Sequence, residues 1–330
     1  REEICGAPRL TSALVADLPV NTGLVIHSDR GSALGRVAGQ NDIRLGDGML
    51  LAAYEYTREE VEGTADYDKD KRDVNAVLLG WSGRFGAHSL QLNARHDDNS
   101  QFGDKTTGLV GYGYQLSPEW SVRGSIGSAF KAPSFNDLYW PGSGNPNLEP
   151  EVALNRELSF GWDNGLHKVD VTYFDNKVKR LIDWAPTDTG WWAPSNVGLA
   201  RLEGVELAYA VGFGGYDLKA GVDYLEAEDG DGNRLPRRAK VSGFARLDKS
   251  AGAWNWGLEW NGANHRYEDE ANTDRLAGYG LLNAYAHYEV APDWRLEMRA
   301  NNLLDKDYQI ARGYNTDGTN VFVGVRWAPR

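Results

Sequence analysis

Residues 254–261 read WNWGLEWN, a strict alternation of apolar and polar side chains. Successive side chains of a β-strand point to opposite faces, so this segment has one apolar face and one polar face. The same period of two recurs in KVDVTY at 168–173, VELAY at 205–209 and LKAGVDY at 218–224, and it ends with VFVGVRW at 321–327. The chain is therefore predicted to be all-β.

The connections between these segments distinguish two architectures that alternation alone leaves open, a soluble sandwich and a membrane barrel. Short and long connections alternate along the chain, as in outer-membrane barrels with short periplasmic turns and long extracellular loops. Tight turns are predicted at 45–48, 85–88, 117–119, 163–165, 212–215, 249–252 and 291–293, and long connections at 61–72, 97–105, 132–153, 185–197, 226–236, 266–277 and 305–319.

The number of segments predicted to be strands indicates a partial barrel. From about Ala38 onward we count roughly fifteen strands, each long enough for the ~9–11 residues that cross a bilayer. Complete single-chain bacterial barrels have even strand numbers, so further strands are expected upstream. Residues 1–37 show neither alternation nor helical periodicity and stay unassigned, while residues 38–330 are assigned to the barrel. The chain begins at Arg1 without a signal-peptide pattern, and a truncated start is expected.

Composition excludes several classes of function. The net charge of −12 argues against nucleic-acid binding, which relies on basic surfaces. Twelve Trp and sixteen Tyr fit a protein at a lipid–water boundary, where an apolar ring with a polar tip is favoured. Cys5 is the only cysteine and can form no internal disulfide. The six His show no metal-ligand spacing and no G-x-S-x-G is present, so neither a metal site nor an enzyme is predicted.

Several strings resemble the TonB-dependent receptors, and among them the vitamin B12 receptors. The first group comprises FKAPS at 130–134, NPNLEPE at 145–151 and NNLLDKDY at 301–308. The second comprises DDNSQFG at 97–103, RRAK at 237–240 and GYNT at 313–316. The resemblance runs from about Gly39 to the end of the chain. One departure is that the family usually ends on an aromatic residue, whereas this chain ends WAPR.

The resemblance implies a transmembrane antiparallel β-barrel of about 22 strands whose lumen holds an N-terminal plug. This chain would supply about fifteen of those strands and the outer loops. The plug, the segment that TonB contacts and the calcium-binding loops would lie upstream, so no cofactor is expected in this chain. The implied location is the cell outer membrane, and the implied partners are outer-membrane lipid, cobalamin as the transported ligand, and TonB through the plug. By itself the chain is expected to show no TonB-dependent uptake.

Three other interpretations of the sequence remain open. The transported ligand could be a ferric siderophore or haem, which leaves the superfamily unchanged. The chain could also form a passive porin-like channel without a plug. A soluble, aromatic-rich β protein is the remaining alternative.

The resemblance and the loops together give three candidate ligand-binding residues. Tyr139 and Trp140 lie in the loop 132–153, where flat aromatic surface could contact a corrin ring or simply pack the loop. Arg237 matches a cobalamin-contacting position of the resembled pattern. Its guanidinium offers donors to amide or phosphate oxygens, and the alternative is an arginine of the lumen paired with strand carboxylates. Arg238 is expected to point the opposite way by strand alternation.

The acidic string EDGDGN at 228–233 suggests a calcium loop. However, Arg234 stands where the EF-hand pattern needs Gly, and Lys240 where it needs the bidentate Glu. A solvated acidic turn is therefore the prediction.

Overall fold

The computed structural model describes residues 21–29, 32–61, 67–187 and 190–329, with the side chains of residues 21–37 and 186 left aside. These residues form eighteen strands and one short helix. Their bounds are β1 Asn21–Asp29, β2 Ser32–Leu45, β3 Gly48–Val61, β4 Lys71–Phe85, β5 His88–Asn99, β6 Gly103–Gln115, β7 Trp120–Lys131, α1 Phe135–Tyr139, β8 Glu151–Asp163, β9 His167–Pro186, β10 Trp192–Phe213, β11 Tyr216–Glu228, β12 Val241–Ala251, β13 Trp254–Ala263, β14 Arg266–Tyr267, β15 Arg275–Leu276, β16 Tyr279–Ala291, β17 Trp294–Asn301 and β18 Asn320–Trp327.

Sixteen of the strands form one antiparallel sheet in which each strand pairs with its neighbours in sequence, from β1 to β18. The short strands β14 and β15 pair only with each other, inside the connection between β13 and β16. The all-β prediction is confirmed. The sheet has one strand more than predicted from Ala38, because residues 21–29 of the unassigned segment form β1 and residues 32–37 begin β2. Residues 1–20 and 30–31 of that segment lie outside the described residues.

The register places the predicted apolar positions in continuous rows on one face. Leu207 of β10 lies opposite Val171 of β9 and Val222 of β11, and Val205 lies opposite Tyr173 and Tyr224. Directly opposite residues share a face of the sheet. Val171, Val205 and Val222 are 36%, 40% and 50% exposed, so the described residues bury this apolar face neither under a second sheet nor under a helix. A sandwich would bury such a face.

The opposite, polar face carries a network of charges. Arg246 contacts Asp248 at 2.8 Å and Glu259 at 3.3 Å, and Arg299 contacts the other oxygen of Glu259 at 2.5 Å. Tyr285 donates to Asp248 in the same group. Such exposed pairs contribute about 0–1 kcal/mol each. The polar face is therefore built for water rather than as a packed core.

All seven predicted tight turns are confirmed, and they lie at one end of the strands. Gly252, with φ +59, allows the two-residue turn between β12 and β13. Aromatic and histidine rings follow this end from strand to strand at centroid distances of 4.6–6.1 Å. We call them the turn-side belt: Trp120, Trp162, His167, Tyr209, Phe213, Tyr216, Trp256, Trp254 and Tyr288.

Two of the seven predicted long connections are wrong. β5 and β6 continue until only residues 100–102 connect them, and β9 pairs with β10 as far as Pro186 opposite Trp192. Polar residues in the first segment, and Pro186, Gly190 and Pro194 in the second, are typical of loops. Their backbones nevertheless pair, because the antiparallel ladders of both hairpins continue beyond the apolar rows. No helix in the described ranges is long and apolar enough to cross a membrane.

Candidate functional site

The long connections lie at the end of the sheet opposite the tight turns, and they form two groups. The helical loop cluster comprises residues 132–150 with the segments 67–72, 99–102, 180–187 and 190–196 that contact them. The C-terminal loop cluster comprises residues 229–240, 264–278 and 302–319. Within each cluster, hydrogen bonds join loops that are distant in sequence.

Helix α1 organises the helical loop cluster. Ser134 caps the helix, because its hydroxyl accepts from the Asp137 N–H at 3.2 Å while the Asp137 carboxylate accepts from the Ser134 N–H at 2.8 Å. This reciprocal pair satisfies two backbone donors that the helix start leaves free. Phe135 and Leu138 face inward and are 9% and 1% exposed. The Asp137 carboxylate also accepts from Trp184 Nε1 at 2.8 Å, which connects the helix to β9.

Arg72 anchors the start of this loop and was not predicted from the sequence. Its side chain is 8% exposed. It donates from Nη1 to the Pro133 carbonyl at 2.7 Å and from Nε to Glu59 at 2.5 Å. The guanidinium also lies 5.1 Å from the Phe135 ring centroid. A buried charge that keeps a carboxylate, a carbonyl and a ring as partners stabilises its site, and losing a partner would be costly.

Tyr139 and Trp140 follow directly in this cluster, in different environments. The Tyr139 hydroxyl accepts from Gln101 Nε2 at 2.6 Å and the side chain is half-buried, so Tyr139 holds the loop to the β5–β6 connection. Trp140 ends the helix, packs edge-on against Tyr67 at 6.3 Å and remains 45% exposed. Of the two predicted residues, Trp140 offers the free aromatic surface.

Arg237 lies in the C-terminal loop cluster, not at a strand start, since β12 begins at Val241. Its φ of +60 is left-handed, and its N–H donates to the Tyr267 carbonyl at 2.6 Å. The side chain donates from Nε to Glu268 at 2.8 Å and is half exposed. This hydrogen bond raises the pKa of Arg237. The partner is a loop carboxylate rather than a strand carboxylate.

The prediction that Arg238 points away from Arg237 assumed a strand, and this assumption is wrong. Residues 236–240 are not strand, so alternation does not apply to them. Arg238 donates from Nη1 to the Pro236 carbonyl at 3.3 Å.

Hydrogen bonds and ion pairs connect three loops around Arg237. Glu268 also accepts from the Arg312 N–H at 3.0 Å, and Arg312 Nε donates to Asp274 at 3.0 Å.

Arg266 makes a second connection between these loops. It is 3% exposed, donates from Nε to the Ile310 carbonyl at 3.3 Å and lies 5.3 Å from the Tyr279 ring centroid. Asn272 adds a bond to the Arg234 carbonyl at 2.8 Å. The C-terminal loop cluster is thus ordered before any ligand binds.

No hydrogen bond or ring contact within the described ranges joins Tyr139 or Trp140 to Arg237. After the larger effect of the Glu268 hydrogen bond, Asp183, at the end of β9 in the helical loop cluster, contributes by its charge to raising the pKa of Arg237. Burial raises the pKa of Glu270, and Asp183 and Asp229 raise it further. The predicted site residues therefore lie on two different loop clusters, with Tyr139 and Trp140 on one and Arg237 on the other.

The acidic string 228–233 folds as a turn. Asp229 Oδ1 accepts from the N–H groups of Asp231 and Asn233, both at 2.9 Å. Nowhere in the described ranges do three or more His, Cys, Asp or Glu side chains converge so that they could hold a metal ion.

Several exposed aromatic residues of the loops were not singled out from the sequence. Trp191 and Trp192 at the tip of the β9–β10 hairpin are 71% and 54% exposed, and Tyr314 is 73% exposed. An exposed large apolar side chain indicates contact with another molecule, but its exposure is known only from the structure. The sequence alone could not provide it.

Known proteins similar to this chain agree with this architecture. Vitamin B12 transporter BtuB of Photobacterium profundum is 36% identical over 292 residues, and that of Vibrio vulnificus (strain YJ016) is 30% identical over 289. These matches cover 86% and 84% of this chain but 48% and 47% of the relatives, so the chain spans about half their length.

Solved structures show the same fold at low identity. The copper transporter OprC superposes with a TM-score of 0.76 at 18% identity, and the FrpB iron transporter from Neisseria meningitidis with 0.70 at 16%. Each match covers 90% of this chain and 56% or 55% of the other chain. The family described as TonB dependent receptor-like, beta-barrel, matches residues 14–303. The one-sheet architecture, the alternating faces and this match agree, and the chain belongs to the TonB-dependent receptor β-barrel family.

Proposed function

We propose that this chain supplies the wall and outer loops of an outer-membrane receptor that imports vitamin B12 under the control of TonB. The similarity to proteins named vitamin B12 transporter supports this ligand, since it reaches 36% identity across 86% of the chain. The solved neighbours named for iron, copper or enterobactin share only 15–18% identity and carry no weight for the ligand. The family consists of transporters and not of enzymes, and no catalytic role is proposed.

The loops fit a large, rigid ligand with amide and phosphate oxygens. Glu268 takes the Nε donor of Arg237 and orients the guanidinium, while the half-exposed side chain keeps further donors available. Trp140 presents flat apolar surface from the other cluster. Because both clusters are ordered by internal bonds, little conformational entropy remains to be lost on binding.

The two faces of the sheet suit a membrane location. In this proposal the apolar rows contact lipid in the outer membrane and the polar face lines a wet lumen. The plug, the segment that meets TonB and the calcium-binding loops would be supplied by sequence upstream. The polar network of Arg246, Glu259 and Arg299 would then face the plug.

Uptake measurements test the proposal. The complete receptor is expressed in cells that lack their own vitamin B12 receptor, with and without TonB, and uptake of labelled cyanocobalamin is followed. We expect uptake only when TonB is present. Uptake of a ferric siderophore without cyanocobalamin would favour the other ligand class, and equal uptake without TonB would indicate a passive channel.

A further inference from the structure

An apolar groove crosses the apolar face between β3 and β8. Its walls are Leu50, Trp81, Leu92, Val110, Ile126 and Leu154. Its floor is low because Ala94, Gly108 and Ser128 are small, and the Ser128 hydroxyl is already satisfied by the Gly108 N–H at 3.1 Å. The groove is open to its surroundings and has a volume of about 530 Å³. This volume lies within the range of small-molecule sites, ~300–1,000 Å³.

The strand register continues the groove into a row of cations on the same face. Ile126 lies opposite Arg156, and Leu154 lies opposite Lys177. Lys177 in turn lies opposite Arg201, and Val152 opposite Lys179. We call Arg156, Lys177, Lys179 and Arg201 the basic row. Three of these cations are farther along their strands from the tight turns than the groove residues are from theirs: Lys177, Lys179 and Arg201. In the proposed membrane orientation, they lie at the level where the hydrocarbon of the bilayer meets the lipid headgroups.

Within the basic row, the two lysines form no direct ion pair with a described carboxylate, although Lys177 interacts electrostatically with Asp175. Asp175 is shared by Arg156 at 3.4 Å and Arg201 at 2.9 Å, and Glu203 pairs with Arg201 at 2.7 Å. Glu228 lies opposite Arg201 on β11, on the side away from the groove. Lys177 and Lys179 form no ion pair with any described residue. In a chain of net charge −12, two lysines without a direct ion pair beside an apolar groove form a distinct local feature.

We propose that the groove and the basic row together bind one phosphate-bearing, multiply acylated lipid of the surrounding membrane. An acyl chain occupies the groove, and the phosphate lies on Lys177 and Lys179. Lys and Arg near a membrane surface attract anionic headgroups, and phosphate takes ammonium and guanidinium donors well. The inference rests on the membrane placement proposed above, but it adds a site on the outer wall that ligand import does not require.

Lipid retention tests the charged half of the site. The complete receptor, purified in a non-ionic detergent, is titrated with bis-phosphorylated lipid A and with the same lipid after removal of its phosphates, and bound lipid is counted by native mass spectrometry. We expect Lys177→Gln with Lys179→Gln to weaken binding of the phosphorylated lipid about 25-fold, or about fivefold per lysine. The matched control is Lys105→Gln with Lys219→Gln, two lysines of the polar face, and it should change nothing.

A second pair of variants tests the groove. Ala94→Leu fills the floor and should weaken binding of both lipid forms, while Ala245→Leu, on the apolar face outside the groove, should not. The proposal is overturned if the phosphate-free lipid binds as tightly as lipid A, if the control lysines matter equally, or if Ala94→Leu has no effect. A spin label at Val171 tests membrane placement separately. A label in water would refute the placement, whereas a label in hydrocarbon without lipid retention would refute only this site.

Discussion

At the scale of single residues, the outer loops show how a functional side chain is oriented before it meets a ligand. Arg237 has an unusual backbone conformation and is held by Tyr267 through its N–H and by Glu268 through its side chain. Glu268 is in turn fixed by the Arg312 N–H. Since the guanidinium is planar and rigid, fixing one edge also fixes the direction of the remaining donors.

The first prediction concerns this orientation. Arg237→Lys keeps the charge but loses the rigid fork, so cyanocobalamin affinity of the complete receptor should fall roughly tenfold, equivalent to ~1.4 kcal/mol. Isothermal titration would measure it. Arg238→Lys is the control, because among the described residues the Arg238 side chain hydrogen-bonds to a carbonyl of its own loop, that of Pro236. An equal loss in both variants would remove Arg237 from the site.

The second prediction concerns pH and His265. Burial, Arg275 and Arg234 lower the pKa of His265, and Arg234 Nη1 lies 3.4 Å from His265 Nε2, where it can donate only to the neutral ring. The folded-state pKa is thus below the unfolded value of ~6.5, so the neutral ring stabilises the loops above pH 6.5 and this contribution is lost as pH falls. After correction for the intrinsic pH dependence of amide exchange, the protection factors of residues 229–240 should fall between pH 7.5 and 5.5. His265→Phe should abolish that change, and an unaltered pH response would contradict the assignment.

At the scale of secondary-structure elements, strand and turn positions could be predicted because both follow from local chemistry. Alternation marks the strands that have one apolar face, and Gly-rich pairs mark the tight turns. The prediction was wrong at 97–105 and 185–197, because polar residues in the first segment and Pro and Gly in the second indicate a loop although the strands continue. Helix α1 was not predicted either, although the Ser134–Asp137 spacing is a capping signal. Arg72 carries no sequence signal, because its importance comes from burial.

The third prediction tests the helix cap. Ser134→Ala removes the acceptor of the Asp137 N–H and should destabilise the local structure of residues 132–150 by about 1 kcal/mol. Faster hydrogen exchange or proteolysis confined to this loop would report the effect. Ser134→Asp is the matched control, since aspartate is also a good capping residue and should restore protection. Equal exchange in all three proteins would show that the tertiary contacts of Phe135 and Leu138 alone hold the helix.

At the scale of the whole molecule, one rule organises the sheet: along most of each strand, every second residue belongs to an apolar face, which the basic row interrupts, and its neighbours belong to a polar face. This could be predicted from the sequence, because a period of two has only one geometric meaning in a strand. The loop contacts could not, since pairs such as Arg237 with Glu268 and Arg72 with Pro133 join segments whose proximity depends on the completed sheet. Local patterns therefore predicted the wall, whereas long-range packing built the candidate site.

The last prediction tests that rule on two adjacent residues of one strand. Leu207 lies on the apolar face opposite Val171 and Val222, while Ala208 lies on the polar face opposite Asp170. If the apolar face meets hydrocarbon, Leu207→Arg should lower the free energy of unfolding in lipid vesicles by about 2–4 kcal/mol. Ala208→Arg gains Asp170 as a partner on a wet surface and should stay within about 0.5 kcal/mol of the parent. Denaturant titration of the complete receptor in vesicles measures both, and equal costs would mean that the two faces see the same solvent.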